Sequence, residues 1–344
     1  MKACLPASGF LTALALVATG PALAQATASP GYEIPKTSWG VPDLQGYWTN
    51  TSLTAMERPP QASTVVVTER EAALLARRHV VTATNAQESI RSTLDEASSR
   101  QLLADRNTSR AYNRFWMDPG ASYAQVKGEY RTAWVTEPAD GLIPYRAEQR
   151  PRVQNVDGPE VRPQSERCLM SFTRSAGPVL SNGLYNNTYQ IVQTPDAVMI
   201  LTEMIHDVRI IPIGKSHGPG AIPKWGGDSV GWYEGDTLVV ETVNAHPGQR
   251  SYISPTGRLT ERFSRWSDGQ VLYRFTVEDP TLYTSRWSEM ALNVSAEPPY
   301  EYACHEGNYA LPAILAGARQ MERDGRPRQA IKPYAGSLDV SEGQ

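Results

Sequence analysis

The chain has 344 residues, with 33 Lys and Arg against 36 Asp and Glu, and its formal net charge is −3 at pH 7. This balance argues against nucleic acid as a partner, because nucleic-acid binding requires a basic surface. The 26 Pro, 26 Gly, 16 Tyr and 8 Trp residues indicate a loop-rich, aromatic-rich globular protein, and the length suits one large domain with extensions.

The N-terminus has the three parts of a cleavable signal peptide. Lys2 supplies the positive charge, Phe10–Val17 the apolar core, and Ala22-Leu23-Ala24 the small residues of a cleavage site. The apolar core is shorter than the ~20 residues that span a bilayer, and no later stretch is apolar for long enough. We therefore expect residues 1–24 to be removed and the mature protein to be periplasmic, without stable membrane insertion.

Residues 25–129 are predicted to form an extended arm followed by a helical extension. Residues 25–65 are assigned to the arm because a proline or glycine interrupts the chain every few positions between Pro35 and Trp48. Thr68 followed by Glu71 is a capping-box pattern and predicts a first helix. The spacing of apolar residues between Ile90 and Leu103 predicts a second one.

From residue 130 the apolar residues alternate with a period of two, which indicates strands. The predicted strands are residues 130–135, 189–194, 197–203, 208–213, 229–233, 237–243, 258–266, 270–278 and 285–294. Tight hairpin turns and the lack of intervening helices favour an antiparallel, mainly β fold. A two-sheet sandwich and a closed barrel both satisfy this pattern. We favour a lipocalin-like β-barrel domain over residues 130–320.

The C-terminal part is predicted to be a helix followed by a polar tail. Asn308–Arg319 has helical character, and Pro312 would sit in its first turn, where proline is tolerated. Residues 321–344 are assigned to the tail.

After signal-peptide removal the chain keeps two cysteines, Cys168 and Cys304. In an oxidising compartment two cysteines usually pair, so a disulfide is expected, and two buried thiols are the alternative. Two cysteines are too few for a zinc site by themselves. The sequence also contains no recognisable nucleotide, metal or nucleophile motif, so no cofactor and no metal are expected.

The first candidate site is the segment around His206. Strand alternation puts Asp207 and Arg209 on one face, where they would form an ion pair, and His206 on the other face with Val208 and Ile210. His206 is therefore either a core histidine or, if its face lines a cavity, a group that transfers protons near neutral pH. Arg209 is a candidate to bind a substrate carboxylate.

The second candidate site is the segment around His305 and Glu306, directly after Cys304. Two interpretations remain open. A disulfide would hold the His-Glu pair rigidly enough for catalysis and substrate binding. Alternatively, Glu306 and Asn308 cap the following helix and His305 is exposed.

The third group comprises polar and aromatic residues within the β region. Glu241 shares a strand face with Val239 and Val243, which favours a cavity-facing, catalytic carboxylate. The candidate substrate-binding residues here are Arg131, Trp232 and Tyr273. Their types suit the recognition of an aromatic acid.

Five stretches carry a resemblance: HDVRII, WGGDSVGWYEGDTLVVET, RFSRW, FTVEDP and YEYACHEGNYAL, which lie between residues 206 and 311. Together they resemble a family of exported bacterial proteins, most of them without an assigned function. That family is similar to the lignin-catabolic phenylcoumaran decarboxylases, which act without cofactor on a dimeric aromatic acid and open its ring to a stilbene. The resemblance implies a reaction class and no individual catalytic residue, and residues 25–130 match no family.

Two functions follow from these observations. The first is a cofactor-independent, decarboxylase-type lyase that acts on a lignin-derived aromatic acid such as a phenylcoumaran inside the β-barrel. Its catalytic residues would be His206, His305 and Glu241. The second is a non-catalytic periplasmic binding protein for a small hydrophobic or aromatic ligand. The sequence does not indicate the oligomeric state.

Overall fold

The structure is a computed structural model that describes residues 28–79, 118–149, 164–170, 178–220, 222–249, 252–284, 290–295 and 297–326. The predicted signal peptide, the second predicted helix and residues 327–344 of the predicted tail lie outside the described residues.

The described part of the chain is mainly β, as predicted. Its strands are β1 Gly46–Thr49, β2 Val66–Val67, β3 Gln125–Val126, β4 Glu129–Arg131, β5 Thr188–Gln193, β6 Ala197–Thr202, β7 Asp207–Pro212, β8 Asp228–Glu234, β9 Thr237–Val243, β10 Arg258–Ser267, β11 Gln270–Glu278 and β12 Met290–Val294. Nine of them form one antiparallel sheet in the order β7-β6-β5-β1-β12-β11-β10-β9-β8. The other three form a small sheet in the order β2-β4-β3.

Two strand predictions need correction. Residues Gly46–Thr49 belong to the predicted arm, but they form a central strand between β5 and β12, with Trp48 opposite Tyr189 and Val294. A four-residue strand flanked by breakers has too few positions to display alternation. In the opposite sense, the predicted strand at residues 130–135 is largely irregular, and only its first two residues lie in β4.

The core lies on one face of the large sheet. Leu238 and Val240 of β9 pack there with Leu259 of β10 and with Tyr273 and Phe275 of β11, and all five side chains are buried. Their spacing of two residues along each strand is the alternation that the sequence predicted. Burial of this apolar face supplies the main driving force for folding.

The large sheet curls around this core. Arg209 of β7 and Glu261 of β10 are six strand positions apart in the sheet, which is about 29 Å in a flat sheet. Their side chains nevertheless approach to 2.6 Å. The edge strands β7 and β8 also meet at one described bridge, between Ile213 and Gly231. Closure into a lipocalin-like barrel stays a prediction.

Both predicted helix starts can be compared with the structure. Helix α1, Glu69–Arg78, begins with the predicted capping box, in which Thr68 and Glu71 bond to each other's backbone. Helix α2, Ala310–Arg323, contains Pro312 in its first turn, as predicted. Neither helix in the described part of the chain has the length and apolar character that crossing a membrane requires.

The predicted disulfide is confirmed. Cys168 and Cys304 are bonded, and they are 136 positions apart in the sequence. The bond fastens the segment before α2 to residues 164–170, and Asn308 adds a hydrogen bond of 3.0 Å from its Nδ2 to the carbonyl oxygen of Glu166.

Candidate functional site

A cavity of about 360 Å³ lies between the two edge strands of the large sheet. Residues of β7, of β8 and of the loop before β8 line it, together with Leu180, Ile200 and Thr202. Ligand pockets typically measure about 300 to 1,000 Å³, so this cavity suits a small molecule.

Strand β7 presents Asp207 and Arg209 to this cavity. In the register of β6 and β7, Asp207 is opposite Thr202 and Arg209 is opposite Ile200, and both partners are buried. The two side chains therefore share the inner face, as the alternation predicted. The predicted ion pair between these two described residues does not form, because Arg209 pairs with Glu261 instead.

Asp207 is a carboxyl group with an altered proton affinity. Burial raises the pKa of Asp207 above its usual value, and the opposing effects of the Val208 N–H and of the Arg209 and His206 charges do not cancel it. An acid with a raised pKa keeps its proton at a higher pH than an exposed aspartate does. Asp207 is therefore suited to donate a proton to a bound molecule.

Arg209 is held by a fully buried carboxylate. Its Nη1 and Nη2 donate to Glu261 Oε1 and Oε2 at 3.2 and 2.6 Å. Tyr273 Oη donates to Glu261 Oε1 at 2.7 Å and accepts from the Leu180 N–H at 3.1 Å. Burial, followed by the Glu261 charge, raises the pKa of Tyr273 well above its usual value, so the hydroxyl remains a donor.

The Arg209 Nε is buried, and no described residue accepts a hydrogen bond from it. A buried donor without a partner costs about 1–3 kcal/mol. Glu261 holds the guanidinium through its two Nη atoms, and Arg209 also belongs to the cavity lining.

A second charged group stands at the border of the cavity, on Asp228 of β8. Lys224 and the Gly218 N–H donate to the Asp228 carboxylate, the latter at 2.8 Å, and His217 Nδ1 lies 3.0 Å from it. Burial works against ionisation of this carboxyl. The hydrogen bonds from Lys224, Gly218 and His217 outweigh burial, so the pKa of Asp228 is lowered and the group stays ionised.

Glu241 lies on the other face of the sheet from the core. Leu238 and Val240 belong to the core, so the alternation points Glu241 to the opposite face with Val239 and Val243, and Glu241 is not part of the described cavity lining. Its Oε1 lies 3.1 Å from His217 Nε2, and its Oε2 accepts from Arg258. Glu241 thus helps to hold the loop before β8 in place.

The two predicted catalytic histidines lie outside the described lining of the cavity. His206 is exposed at the end of the turn before β7, and its Nδ1 donates to the carbonyl oxygen of Tyr302 at 2.8 Å, so it is not a core histidine. His305 and Glu306 are exposed in the turn before α2. Neither Glu306 nor Asn308 is the N-cap of α2, which is Tyr309 and makes no side-chain capping bond. His206, His305 and Glu241 therefore do not share this cavity.

The remaining predicted substrate-binding residues are dispersed. Arg131 lies in the small sheet and donates to Glu129 at 2.8 Å. Trp232 is on β8 and donates through its Nε1 to Glu234 at 2.9 Å. Neither belongs to the described cavity lining. Two of the predicted site residues, Arg209 and Tyr273, lie close together because both donate hydrogen bonds to the Glu261 carboxylate.

Glu261 and Asp228 were not predicted to belong to the site, and Asp207 was expected only to form an ion pair. A signal for Glu261 was present, because it alternates with the apolar residues Leu259 and Phe263 along β10. A charged residue at a core position usually has a buried partner or a function. The partner lies on β7, and only the curl of the sheet brings it near.

The described residues contain no group of three or more His, Cys, Asp and Glu side chains that could hold a metal ion. A comparison with protein-family models, with curated proteins and with solved structures finds no match for this chain. The resemblance in the sequence and the expected absence of a cofactor stay predictions.

Proposed function

We propose that the protein is a cofactor-independent lyase that removes CO₂ from a small aromatic acid bound between β7 and β8. The observation that carries the proposal is the placement of Asp207, whose pKa is raised, beside Arg209 in one cavity. A carboxyl group with a raised pKa, which can act as a proton donor, and a cation that orients a carboxylate are two groups that this reaction uses. The resemblance to phenylcoumaran decarboxylases indicates lignin-derived acids as substrates.

In the proposed mechanism, the positive charge of Arg209 orients the substrate carboxylate. The bond between the substrate carbon and its carboxylate breaks and CO₂ leaves, while the released electron pair forms a carbon–carbon double bond. In a phenylcoumaran this expels the ring oxygen as a phenoxide, which takes the proton of Asp207. Asp207 thus takes the general-acid role that the sequence analysis assigned to His206 or His305.

The size of the cavity supports an aromatic substrate. A cavity of about 150 Å³ holds one benzene molecule, so about 360 Å³ has room for roughly two rings of that size. The lining combines apolar Leu180 and Ile200 with several polar groups, among them Asp207, Arg209 and Asp228. This mixture of apolar and charged side chains suits a ligand that carries both a ring and a carboxylate.

The lipocalin-like barrel and export to the periplasm belong to the same proposal. The contact between Arg209 and Glu261 and the bridge between Ile213 and Gly231 support a sheet that closes around its core. The disulfide supports an oxidising compartment, where such bonds persist.

A binding protein without chemistry is the second candidate. It is favoured by the pairing of Arg209 with Glu261, because a neutralised guanidinium attracts a substrate carboxylate less strongly. The positions of His206 and His305 outside the cavity lining also favour it.

Incubation of the chelator-treated protein with phenylcoumaran acids distinguishes the two functions. We expect release of CO₂ and a new conjugated absorbance. Asp207→Asn should lower kcat by about 10²- to 10⁴-fold, which is what a positioned general acid contributes. Asp196→Asn, at an exposed turn position, is the matched control and should leave kcat unchanged.

Two results would contradict the lyase. Saturable binding of these acids without turnover would favour the binding protein. Activity that disappears with the chelator and returns with zinc would exclude the cofactor-independent mechanism. His206→Ala and His305→Ala should retain activity, and a loss of 10²-fold or more in either would return the acid role to that histidine.

A further inference from the structure

Trp225 is an exposed aromatic side chain on the border of the cavity. It precedes β8, lines the cavity and is 38% exposed, although large aromatic side chains are usually well buried. Its indole stacks on the imidazole of His246, with 4.1 Å between the ring centroids and 17° between the planes. The ring is therefore supported on one side while part of its surface remains free.

The backbone on both sides of Trp225 is fixed to the loop that carries His246. The His246 N–H donates to the Lys224 carbonyl oxygen at 2.9 Å, and the Gly226 N–H donates to the Gln249 Oε1 at 2.7 Å. Gln249 is fully buried, which anchors the second bond in the protein interior. The backbone at Trp225 is therefore fixed at the border of the cavity.

The imidazole behind the indole is oriented as well. The Gly248 N–H donates to His246 Nδ1 at 3.0 Å, so this nitrogen acts as the acceptor. A Cβ atom at Gly248 would lie 3.1 Å from His246 Nδ1 and 3.5 Å from the far edge of the Trp225 ring. The absence of a side chain at this position thus leaves room for the stacked pair.

A preoriented aromatic ring favours binding of another flat ring. Aromatic pairs gain stability beyond the apolar area that they bury, and a ring that is already fixed loses little conformational entropy when a ligand stacks on it. A saturated ring of similar size buries comparable area but lacks the stacking geometry. An exposed and braced indole is therefore suited to select planar ligands.

We propose that Trp225 is the specificity-determining residue of this cavity: the aromatic ring of the substrate stacks on its indole, which His246 supports from behind. This inference rests on the proposed function for the location of the substrate. It adds that the site selects planar aromatic acids over saturated acids of the same charge, and that Trp225 acts in binding and not in the bond-breaking step.

Calorimetric titration of the full chain with cinnamate and with 3-cyclohexylpropanoate tests the inference. The ratio of the two dissociation constants is the readout, because it cancels general effects on the cavity. Trp225→Leu should reduce the preference for cinnamate roughly three- to ten-fold, whereas Trp225→Phe should largely retain it. Gly248→Ala, which crowds the supporting imidazole, should reduce it in part.

Trp39→Leu is the matched control, since Trp39 has similar exposure and lies outside the described cavity lining. If Trp225→Leu has a normal thermal midpoint and an unchanged ratio of dissociation constants, the inference is overturned. The lyase proposal would still stand in that case if the protein turned over its substrate. A changed ratio together with no CO₂ release from phenylcoumaran acids would support Trp225 and contradict the lyase. A wild-type protein that binds neither acid would contradict both.

Discussion

Arg209 on β7 and Glu261 on β10 are joined by two hydrogen bonds across the interior of the curled sheet, although six strand positions separate them. The contact ties a wall of the cavity to the core. It also directs the guanidinium, whose Nε is left as a donor within the protein. The same pair therefore contributes to the fold and to the candidate site.

Glu261→Gln is expected to destabilise the protein strongly. The substitution keeps the size of the side chain but leaves the Arg209 charge buried without a counter-charge. Breaking a buried pair in this way costs about 3–5 kcal/mol. Urea denaturation at neutral pH, followed by circular dichroism, measures the free energy of unfolding.

Glu234→Gln is the control for that measurement. Glu234 accepts from Arg262 at 2.7 Å, but its side chain is 39% exposed. Exposed pairs contribute about 0–1 kcal/mol, so this variant should remain close to the wild type. If both variants lost the same free energy of unfolding, burial of Glu261 would not be the reason for the strength of its ion pair with Arg209.

The raised pKa of Asp207 predicts a specific dependence of stability on pH. The folded chain binds the Asp207 proton more tightly than the unfolded chain does. Below pH 3.8, the ordinary pKa of an aspartate, both the folded and the unfolded chain hold this proton, so the group adds no pH dependence to the free energy of unfolding. As pH rises from there through the raised folded pKa, the free energy of unfolding falls.

Asp207→Asn removes this dependence and should gain stability relative to the wild type over that interval. Thermal midpoints of the two proteins, measured from about pH 4 to about pH 8, should therefore diverge as pH rises. Parallel curves would contradict the raised pKa. Asp196→Asn, at an exposed position, should give a curve parallel to that of the wild type.

The strands were predictable where the local pattern was long enough. Along residues 270–278 the apolar residues Val271, Tyr273, Phe275 and Val277 occupy alternate positions, and Glu234-Gly235-Asp236 forms a tight turn between β8 and β9. The strand Gly46–Thr49 was missed because its role in the sheet depends on distant partners, Tyr189 and Val294.

The candidate site was only partly predictable for the same reason. Arg209 and Tyr273 were identified by residue type, and alternation put Asp207 and Arg209 on one face. Their environment depends on long-range geometry: the pairing of Arg209 with Glu261 follows from the curl of the sheet. The exposure of Trp225 follows from a loop that has no periodicity to interpret.

Export predicts the mass of the mature protein. If residues 1–24 are cleaved after Ala24, protein recovered from the periplasm of an expressing bacterium should have the intact mass of Gln25–Gln344. Lys2→Glu, which removes the positive charge before the apolar core, should reduce the exported fraction. Recovery of the full-length chain from the cytoplasm would contradict the prediction.

The disulfide should stabilise the folded protein substantially. The bond between Cys168 and Cys304 spans 136 positions, and the chain-entropy treatment gives about 5 kcal/mol as an upper value for such a loop. Alkylation of the protein after unfolding without reductant should label neither cysteine, and prior reduction should expose both. The double variant Cys168→Ala, Cys304→Ala is the control. Reductant should shift the urea midpoint of the wild type towards that of the variant. It should leave the midpoint of the variant unchanged. Labelling of both cysteines in unreduced protein would show that the bond is not formed.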